Sequence, residues 1–529
     1  MNYEKIPSYN ELFFEDQYEF KLSLDFNRIA YVLSFLGYLY TEKDTMNKTF
    51  LEESVGVKGI DRAMAKEYLE DKVLITQLGV LNAWKLGFKC LNQDPEENYS
   101  SADVLFNTLY RIIIKKQEED IDKIGDVSVK NSLMTIGILD YLDNQASEFK
   151  RSFYMFISNK DRFSVDPKYI GYKDLFEKFE SKYGISLEAY MKGLYVLVFY
   201  KCQHNYEQLI ITRNMTKYNF VIDPAQIQSQ ETRDNIIKVL ENLSIDFETS
   251  KKWAKEAELE TFNFKLFMEK PIYKINENCY LPICRKFLQD QLFHSLIYKI
   301  RNLYEESDMK FFHLLGLLFE DYAVYIFEQV IIRSEIKYTI IKEFEYSVGK
   351  KEHKSSDLIV CWENDVYVFE CKSARVLNSI YKILNQREIE QSIEKVIKKP
   401  ISQAITRMNE IVNLGINEEL NNKKNYYFIS VTVSNFPDHF SNFDQLLNQI
   451  KSSEIKIAGC FNFSIEEYEL LCDVLVQNNK ALNYYLNDYK YNTPDHYSFK
   501  NYINQFNVKS VVFEDIEKKV EAFEESIDL

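Results

Sequence analysis

A short segment in the C-terminal half of the chain predicts a tight β-hairpin. Asp357–Trp362 and Val366–Lys372 are rich in β-branched and aromatic residues, and the polar tripeptide Glu363-Asn364-Asp365 separates them. Two such runs joined by a short polar turn are typical of antiparallel strands. Because side chains alternate between the faces of a strand, Glu370 and Lys372 share one face, about 7 Å apart. The hairpin therefore predicts a sheet with two charged side chains at the end of an apolar strand.

The sequence around this hairpin alternates between helical and strand-forming patterns. A long apolar stretch precedes it, and helical sequence, interrupted at Pro400, follows it to about residue 414. We predict helices at Met309–Ile332 and Ile465–Val476, strands at Ile336–Val348, Asn425–Asn435 and Ala458–Phe463, and a polar turn at Gly349–Ser356 that contains His353. This order predicts a layered α/β/α domain with a central mixed sheet.

The N-terminal half has apolar residues at three- and four-residue spacing, which predicts mainly helices. Its helices are expected to be long, because only 14 Gly and 9 Pro occur in 529 residues. Tyr172–Tyr200 predicts a helical hairpin, in which Gly184 ends the first helix and Ser186 caps the second. Thr49–Ile75 is compatible with a helix-turn-helix, but acidic residues in its second half favour two ordinary helices. Further helices are predicted at Asp25–Tyr40, Asp103–Glu119 and Asn131–Ser158.

These patterns divide the chain into five parts. Within residues 262–307, PIYKINENCYLPI predicts two short strands around Asn276–Asn278, and Leu288–Leu303 predicts the helix that follows. The last residues are strongly acidic and predict a solvated helix, with a tail that shields a binding groove as the alternative. The predicted parts are helical domains at 1–165 and 166–261, an adapter at 262–307, an α/β/α domain at 308–500 and an acidic tail at 501–529.

The formal net charge of −16 limits the kinds of partner that the chain can bind. Nucleic-acid-binding proteins usually present a basic patch, because binding releases counterions from the phosphates. A globally acidic chain argues against sequence-independent coating of DNA, but a local basic patch can exist on an acidic body.

The cysteines and the apolar stretches indicate a cellular compartment. The eight cysteines include no CxxC pair, and Cys279 and Cys284 have no histidine nearby to complete a zinc site. The N-terminal sequence MNYEKIPSYNELFFED is acidic where a signal peptide is apolar, and Gly193–Tyr200 is too short to span a bilayer. We therefore expect a soluble, cytoplasmic protein with reduced thiols and no membrane association.

Asp357, Glu370 and Lys372 are the candidate catalytic residues. Hairpin pairing would place Asp357 near Lys372, at the edge of the sheet where Glu370 also lies. Burial of these charges without partners would be costly, and a bound cation together with a phosphate would offset the cost. Two carboxylates suit Mg²⁺, which activates water and stabilises charge on phosphate oxygens, while the lysine orients the water or helps to deprotonate it. The alternative interpretation is a surface hairpin with an ion pair.

The spacing Asp357-x12-Glu370-x-Lys372 resembles the core motif of PD-(D/E)xK nucleases, a superfamily that includes restriction endonucleases, Mrr-like enzymes and Holliday-junction resolvases. The resemblance implies that Asp357 and Glu370 bind Mg²⁺, with Mn²⁺ able to substitute, and that Lys372 is the catalytic lysine. It also implies a restriction-endonuclease-like fold. Ser356 stands where the superfamily often has proline, which is a frequent variation. The resemblance covers residues 308–480 and does not extend into the N-terminal half.

Many members of this superfamily also carry a glutamate on the helix that precedes the sheet. HLLGLLFEDYAVYIFEQV resembles that helix, with Glu320 at the matching position as a third metal ligand and catalytic residue. Asp321 and Glu328 are likewise flanked by apolar residues, so periodicity does not choose among the three acids. Only the resemblance favours Glu320.

Polar and basic residues after the hairpin are candidates for contacts with phosphate. Gln403 resembles a catalytic glutamine found on the following helix in some branches of the superfamily. It lines up with Lys399 and Arg407 at four-residue spacing, which predicts either a solvated face or a polar stripe facing metal and phosphate. Residues 372–399 hold seven basic and three acidic side chains, so we predict that Arg375, Lys382, Lys399 and Arg407 bind nucleic acid.

The function that these patterns predict is a Mg²⁺-dependent endonuclease that acts on DNA, with RNA as the alternative substrate. Stand-alone nucleases of this build resemble effectors of bacterial anti-phage defence or restriction systems, and the helical N-terminal half would bind a partner protein, a trigger or the substrate. Cutting both strands of a duplex needs two centres, so we expect a homo-oligomer. The alternatives are a repair or recombination nuclease for branched or damaged DNA, and a non-catalytic nucleic-acid-binding scaffold.

Overall fold

The computed structural model describes residues 26–39, 77–91, 93, 144–201, 221–257, 263–305, 308–373, 391, 394–421, 424–433, 454–493 and 498–528. Within these ranges the chain is mostly helical, as its sequence predicts, and its larger sheet lies in the C-terminal half. The helices predicted at Thr49–Ile75 and Asp103–Glu119 lie outside the described residues. None of the described helices combines the length and the apolar character that crossing a bilayer requires.

The first part of the described chain is built from helices and one small sheet. Its helices are α1 (Phe26–Leu39), α2 (Gln77–Cys90), α3 (Gln145–Phe153), α4 (Lys160–Val165), α5 (Tyr172–Tyr183), α6 (Leu187–Tyr195), α7 (Gln230–Leu243), α8 (Phe247–Glu256), α9 (Lys265–Glu269), α10 (Arg285–Gln289) and α11 (His294–Arg301). Its strands are β1 (Ser244–Ile245), β2 (Ile272–Asn276) and β3 (Cys279–Pro282), in the order β1-β2-β3.

The helical hairpin predicted at Tyr172–Tyr200 is confirmed in its details. Gly184 ends α5 in the left-handed conformation, with φ of 68°. The Ser186 side chain accepts a hydrogen bond from the Ala189 amide at the start of α6. The single helix predicted at Leu288–Leu303 is wrong, because α10 ends at Gln289 and a short 3₁₀ turn separates it from α11.

The second part contains the central sheet. Its elements are α12 (Lys310–Arg333), β4 (Thr339–Lys342), β5 (Glu345–Val348), β6 (Lys351–Lys354), β7 (Leu358–Trp362), β8 (Asp365–Lys372), α13 (Lys399–Leu414), β9 (Asn425–Thr432), β10 (Lys456–Ser464), α14 (Ile465–Gln477), α15 (Leu482–Asn492), α16 (Phe499–Asn504) and α17 (Glu514–Glu525). The sheet has the order β10-β9-β8-β7-β4. Strands β8, β9 and β10 run parallel, whereas β4, β7 and β8 pair antiparallel.

The two faces of this sheet bury different helices, which follows from the alternation of side chains along each strand. On one face, Tyr367 and Phe369 of β8 join the large core that contains α12 and α14. On the other face, Val366 and Val368 pack against α13 through residues such as Met408. The sheet is therefore mixed and lies between helices on both sides, as the sequence predicts.

The polar turn predicted at Gly349–Ser356 is wrong, because residues 351–354 form strand β6. This strand pairs with β5 in a separate two-stranded sheet, and His353 lies opposite Tyr346. Strand β6 has no buried residue, so the segment lacks the hydrophobic alternation that marks a half-buried strand. His353 is thus a strand residue, with its Nδ1 3.8 Å from a carboxylate oxygen of Glu410.

Buried polar contacts connect the N-terminal helices to the second part. Arg151 of α3 donates two hydrogen bonds, each of 2.7 Å, to the carboxylate of Glu469 in α14. Tyr322 of α12 donates to the same carboxylate at 2.6 Å. One apolar core extends across the predicted part boundaries from residue 149 to residue 523. The two parts are therefore packed together and not merely linked.

The acidic C-terminal segment forms a docked helix. Helix α17 buries Ile516, Val520 and Phe523 while its acids remain at the surface, and Lys150 of α3 pairs with Glu517. It packs against α3 of the helical part. The solvated face predicted for this helix is present, but the opposite face belongs to the core.

Candidate active site

The candidate centre lies where the β7–β8 hairpin ends. Leu358 pairs with Phe369, so Asp357 occupies the next position of the ladder, beside Glu370. Asp357 Oδ2 accepts a hydrogen bond of 2.6 Å from the backbone amide of Cys371, which fixes its carboxylate against β8. The strand pairing therefore brings Asp357 and Glu370 to one edge of the sheet.

Alternating charges connect the residues of this edge. Lys372 Nζ lies 3.0 Å from Glu370 Oε2 and 3.7 Å from Asp357 Oδ2. The second oxygen of Glu370, Oε1, accepts a hydrogen bond of 3.1 Å from Arg407 of α13. Glu370 is only 1% exposed, so both of its oxygens depend on these cations for their hydrogen bonds.

Glu320 of α12 lies beside the same edge. A Cβ atom added to Gly316, one turn earlier on α12, would lie 3.9 Å from Glu320 Oε1 and 4.0 Å from the hydroxyl of Ser373, the residue after β8. Burial, and next the negative charge of Asp357, raise the pKa of Glu320 to about 8. The structure thus brings Glu320 close to the Asp357 carboxylate.

The two other acids of α12 have separate partners. Asp321 accepts hydrogen bonds from Tyr154 at 2.8 Å and Tyr169 at 2.9 Å, and it pairs with Arg162. Glu328 pairs with Lys342 of β4 at 2.6 Å. Asp321 therefore connects α12 to the helical part, while Glu320, its neighbour in sequence, faces the sheet edge.

The pKa values of the centre show how its carboxylates and its lysine are charged. Burial, followed by the charge of Glu370, raises the pKa of Asp357 to about 6. Burial lowers the pKa of Lys372, but Asp357 and Glu370 outweigh this effect and hold it above its ordinary value. Lys372 is therefore a cation at neutral pH, suited to orient a water or stabilise phosphate charge and not to accept a proton.

Sequence reasoning missed a fourth carboxylate near the centre. Glu343 follows β4, and its charge contributes to the raised pKa values of both Glu320 and Asp357. Lys354 of β6 pairs with Glu343 at 2.9 Å. Only the pairing of β4 with β7 places Glu343 at this edge, so no local pattern could have identified it.

Three polar side chains around the centre were also missed. Ser356 precedes Asp357, Ser430 of β9 lies in register with Glu370, and Asn462 of β10 lies in register with Ser430. All three are buried, and their side chains make no hydrogen bonds within the described part of the chain. Unpaired buried polar groups are costly, which makes them informative about a site. Asn462, between Phe461 and Phe463, was the one signal in the sequence.

Of the three residues in the polar stripe predicted for the helix after the hairpin, one contacts the centre and two face solvent. Arg407 contacts Glu370, as described above, whereas Gln403 and Lys399 are exposed on α13. Pro400 lies in the first turn of α13, which directly follows a π-helical turn at Glu394–Lys398. Arg375 and Lys382, the other residues predicted to bind nucleic acid, lie outside the described ranges.

The chemistry of this donor set fits a divalent cation. Asp357, Glu370 and Glu320 supply carboxylate oxygens, the ligands that Mg²⁺ and Mn²⁺ prefer. In the ranges that the structure covers, no three Asp, Glu, His or Cys side chains are grouped closely enough to hold an ion. Glu370 is instead paired with Lys372 and Arg407.

No protein-family model, curated protein or solved structure matches this chain.

Proposed function

We propose that this chain is a divalent-metal-dependent nuclease that hydrolyses phosphodiester bonds, with Asp357, Glu370 and Lys372 at its centre. The observation that carries the proposal is the convergence of these three side chains at one sheet edge, where Lys372 lies 3.0 Å from Glu370 and 3.7 Å from Asp357. Glu320 reaches the same edge from α12, where burial, and next the charge of Asp357, raise its pKa. The resemblance to PD-(D/E)xK nucleases, and to their fold, rests on the same residues.

Each residue has a role that follows from its charge and position. Asp357, Glu370 and Glu320 would hold Mg²⁺ or Mn²⁺ through carboxylate oxygens. When bound, such a cation supplies Lewis-acid stabilisation of the phosphate and activation of water. Lys372, kept protonated by its two acidic neighbours, would orient the attacking water and stabilise negative charge that develops on the phosphate. Gln403 and Lys399, exposed on α13, are available to contact the nucleic acid.

The proposed substrate is DNA, and the proposed setting is the cytoplasm, in a bacterial anti-phage or restriction system. The substrate and the defence setting follow from the resemblance, whereas the compartment follows from the cysteine pattern. The free state of the cysteines at 90, 279, 284, 361, 371, 460 and 472 is consistent with a reducing compartment. The contacts of Asp321 with Arg162, Tyr154 and Tyr169 give the helical part, which would bind a partner, a physical connection to the helix that carries Glu320. A homo-oligomer would supply the second centre for duplex cleavage.

A non-catalytic scaffold is the second candidate, and one observation favours it. Both oxygens of Glu370 are already neutralised by Lys372 and Arg407, so the fold is satisfied without a cation. Calorimetry with Mn²⁺ separates the two candidates. A nuclease binds the ion and loses that binding in Asp357→Ala, whereas a scaffold does not bind it.

The experiment that tests the proposal is cleavage of supercoiled plasmid and single-stranded DNA by the full-length chain with Mg²⁺ or Mn²⁺. We expect cleavage that EDTA abolishes and that Lys372→Ala reduces by about a hundredfold or more. Lys342→Ala is the matched control, because Lys342 belongs to the same sheet and forms an exposed ion pair with Glu328. Branched DNA as a third substrate tests the repair alternative. Binding of Mn²⁺ without cleavage of any substrate would contradict the catalytic assignment.

A further inference from the structure

Arg407 holds the carboxylate that the proposed cation would need. Its side chain extends from α13 to Glu370 and ends 3.1 Å from Oε1, while Lys372 lies 3.0 Å from Oε2. Glu370 has no further carboxylate oxygen to offer. A cation that binds either oxygen of Glu370 must therefore share that oxygen with one of these basic side chains or displace it.

The two basic side chains are not equally held. Lys372 belongs to β8 and also lies 3.7 Å from Asp357, so it interacts with both acids of the hairpin. Arg407 belongs to a helix on one face of the sheet, and Glu370 is the one acid of the centre with which it forms an ion pair in the described chain. The two side chains are equally exposed, 30% for Arg407 and 31% for Lys372, so the difference between them is the number of carboxylates that each contacts. Arg407 is therefore the side chain that can be displaced.

The balance of charge points in the same direction. The three proposed ligands, Asp357, Glu370 and Glu320, carry at most three negative charges, and Lys372 and Arg407 already place two positive charges close to Asp357 and Glu370. A divalent cation added to this set leaves an excess of positive charge in a buried site, where repulsion is poorly screened. Departure of Arg407 removes part of that excess. The guanidinium then stands at the rim of the centre, with the planar donor geometry that suits a phosphate.

We propose that Arg407 competes with the divalent cation for Glu370, and so acts as an electrostatic lock that the cation must open. The proposal rests on the proposed metal-dependent nuclease function. Arg407 is in this view a positioning residue, which holds Glu370 in its buried place before the cation binds. Nucleic acid assists the opening, because a phosphate offers the released guanidinium a new partner.

The test is calorimetric titration of the full-length chain with Mn²⁺ in the absence of nucleic acid, so that the readout is affinity and not activity. We expect Arg407→Met to bind Mn²⁺ at least about tenfold more tightly than the native chain, because its competitor is gone. Arg407→Gln, which keeps a polar side chain at this half-exposed position, is the second variant in case the first does not fold. It should tighten binding as well.

Arg333→Met is the matched control. Arg333 is also a half-buried arginine that pairs with a glutamate, Glu514, but it lies at the end of α12 and contacts none of the residues of the centre. Its removal changes the net charge by the same amount, so a general charge effect would tighten binding there too. Native affinity in this control and tight binding in both Arg407 variants support the lock.

Two results would overturn the lock and can be told apart. If the native chain binds Mn²⁺ and the Arg407 variants bind it no more tightly, competition is refuted while the metal site stands. If neither the native chain nor any variant binds Mn²⁺, the metal site of the proposed function fails and the lock fails with it.

Discussion

Substitution of Glu320 by glutamine should remove a pH dependence from the stability of the metal-free protein. Burial and Asp357 raise the pKa of Glu320 from its ordinary value of 4.5 to about 8. An acid whose pKa is higher in the folded state binds more protons folded than unfolded between those two values. The free energy of unfolding therefore falls as the pH rises through this window. Glutamine resembles the protonated acid and does not titrate, so Glu320→Gln should escape this loss.

The size of the effect follows from the same pKa. One pH unit within the window corresponds to about 1.36 kcal/mol, so between pH 5.5 and 8 the native chain should lose about 3 kcal/mol relative to the variant. This is an upper limit, because Glu320 is only partly buried and water screens part of the interaction. If the chain unfolds as one unit, an unfolding entropy of about 2 cal/mol/K per residue converts this difference into about 3 °C.

The assay is scanning calorimetry of both chains in EDTA at several values between pH 5.5 and 8.5. We expect similar unfolding temperatures at pH 5.5 and a progressively higher temperature for Glu320→Gln above pH 7. Glu328→Gln on the same helix is the control, because Glu328 is paired with Lys342 at the surface. Parallel pH profiles for the native chain and Glu320→Gln would show that Glu320 does not share a buried site with Asp357, and would refute this account of the centre.

Three further results are expected. Glu469→Gln should lower the free energy of unfolding by about 3 kcal/mol or more, since it removes the negative charge that pairs with the buried Arg151. The double change Arg151→Met/Glu469→Leu should cost less; an equal cost in thermal unfolding would argue against a buried pair. Asn462→Leu should leave the free energy of unfolding unchanged or raise it. It removes a buried amide that has no hydrogen-bond partner in the described chain, whose burial costs about 1–3 kcal/mol; a marked fall in unfolding temperature would mean that the amide has a partner. At a concentration a hundredfold above its Kd, Mn²⁺ should stabilise the native chain by about 2.7 kcal/mol and so raise its unfolding temperature. It should not raise the unfolding temperature of Asp357→Ala; equal shifts in both chains would place the ion elsewhere.

Local sequence was sufficient to locate the elements that carry the centre. The β7–β8 hairpin, the helix before it and β9 follow from periodicity, because each element buries one or both faces and its apolar residues repeat accordingly. Ser186 and Gly184 were predictable for a similar reason, since a helix cap is a contact between near neighbours in the chain. The exposed strand β6 was missed because it has no buried face to leave a pattern.

The pairing of side chains across elements needed the tertiary structure. The periodicity of α12 did not distinguish among Glu320, Asp321 and Glu328 as candidate ligands. Only the packing of α12 places Glu320 at the sheet edge, pairs Asp321 with Arg162 and pairs Glu328 with Lys342.

The sequence by itself determined that two acids and a lysine end one hairpin, because neighbours on a strand and across a tight turn are fixed by local geometry. Tertiary structure decided that Arg407, 37 positions beyond Glu370, contacts its carboxylate. It also decided that Ser430 and Asn462 lie in register with Glu370 on the next two strands, without side-chain hydrogen-bond partners in the described chain. Contacts between distant segments depend on how sheet and helices pack as layers, which no local pattern encodes.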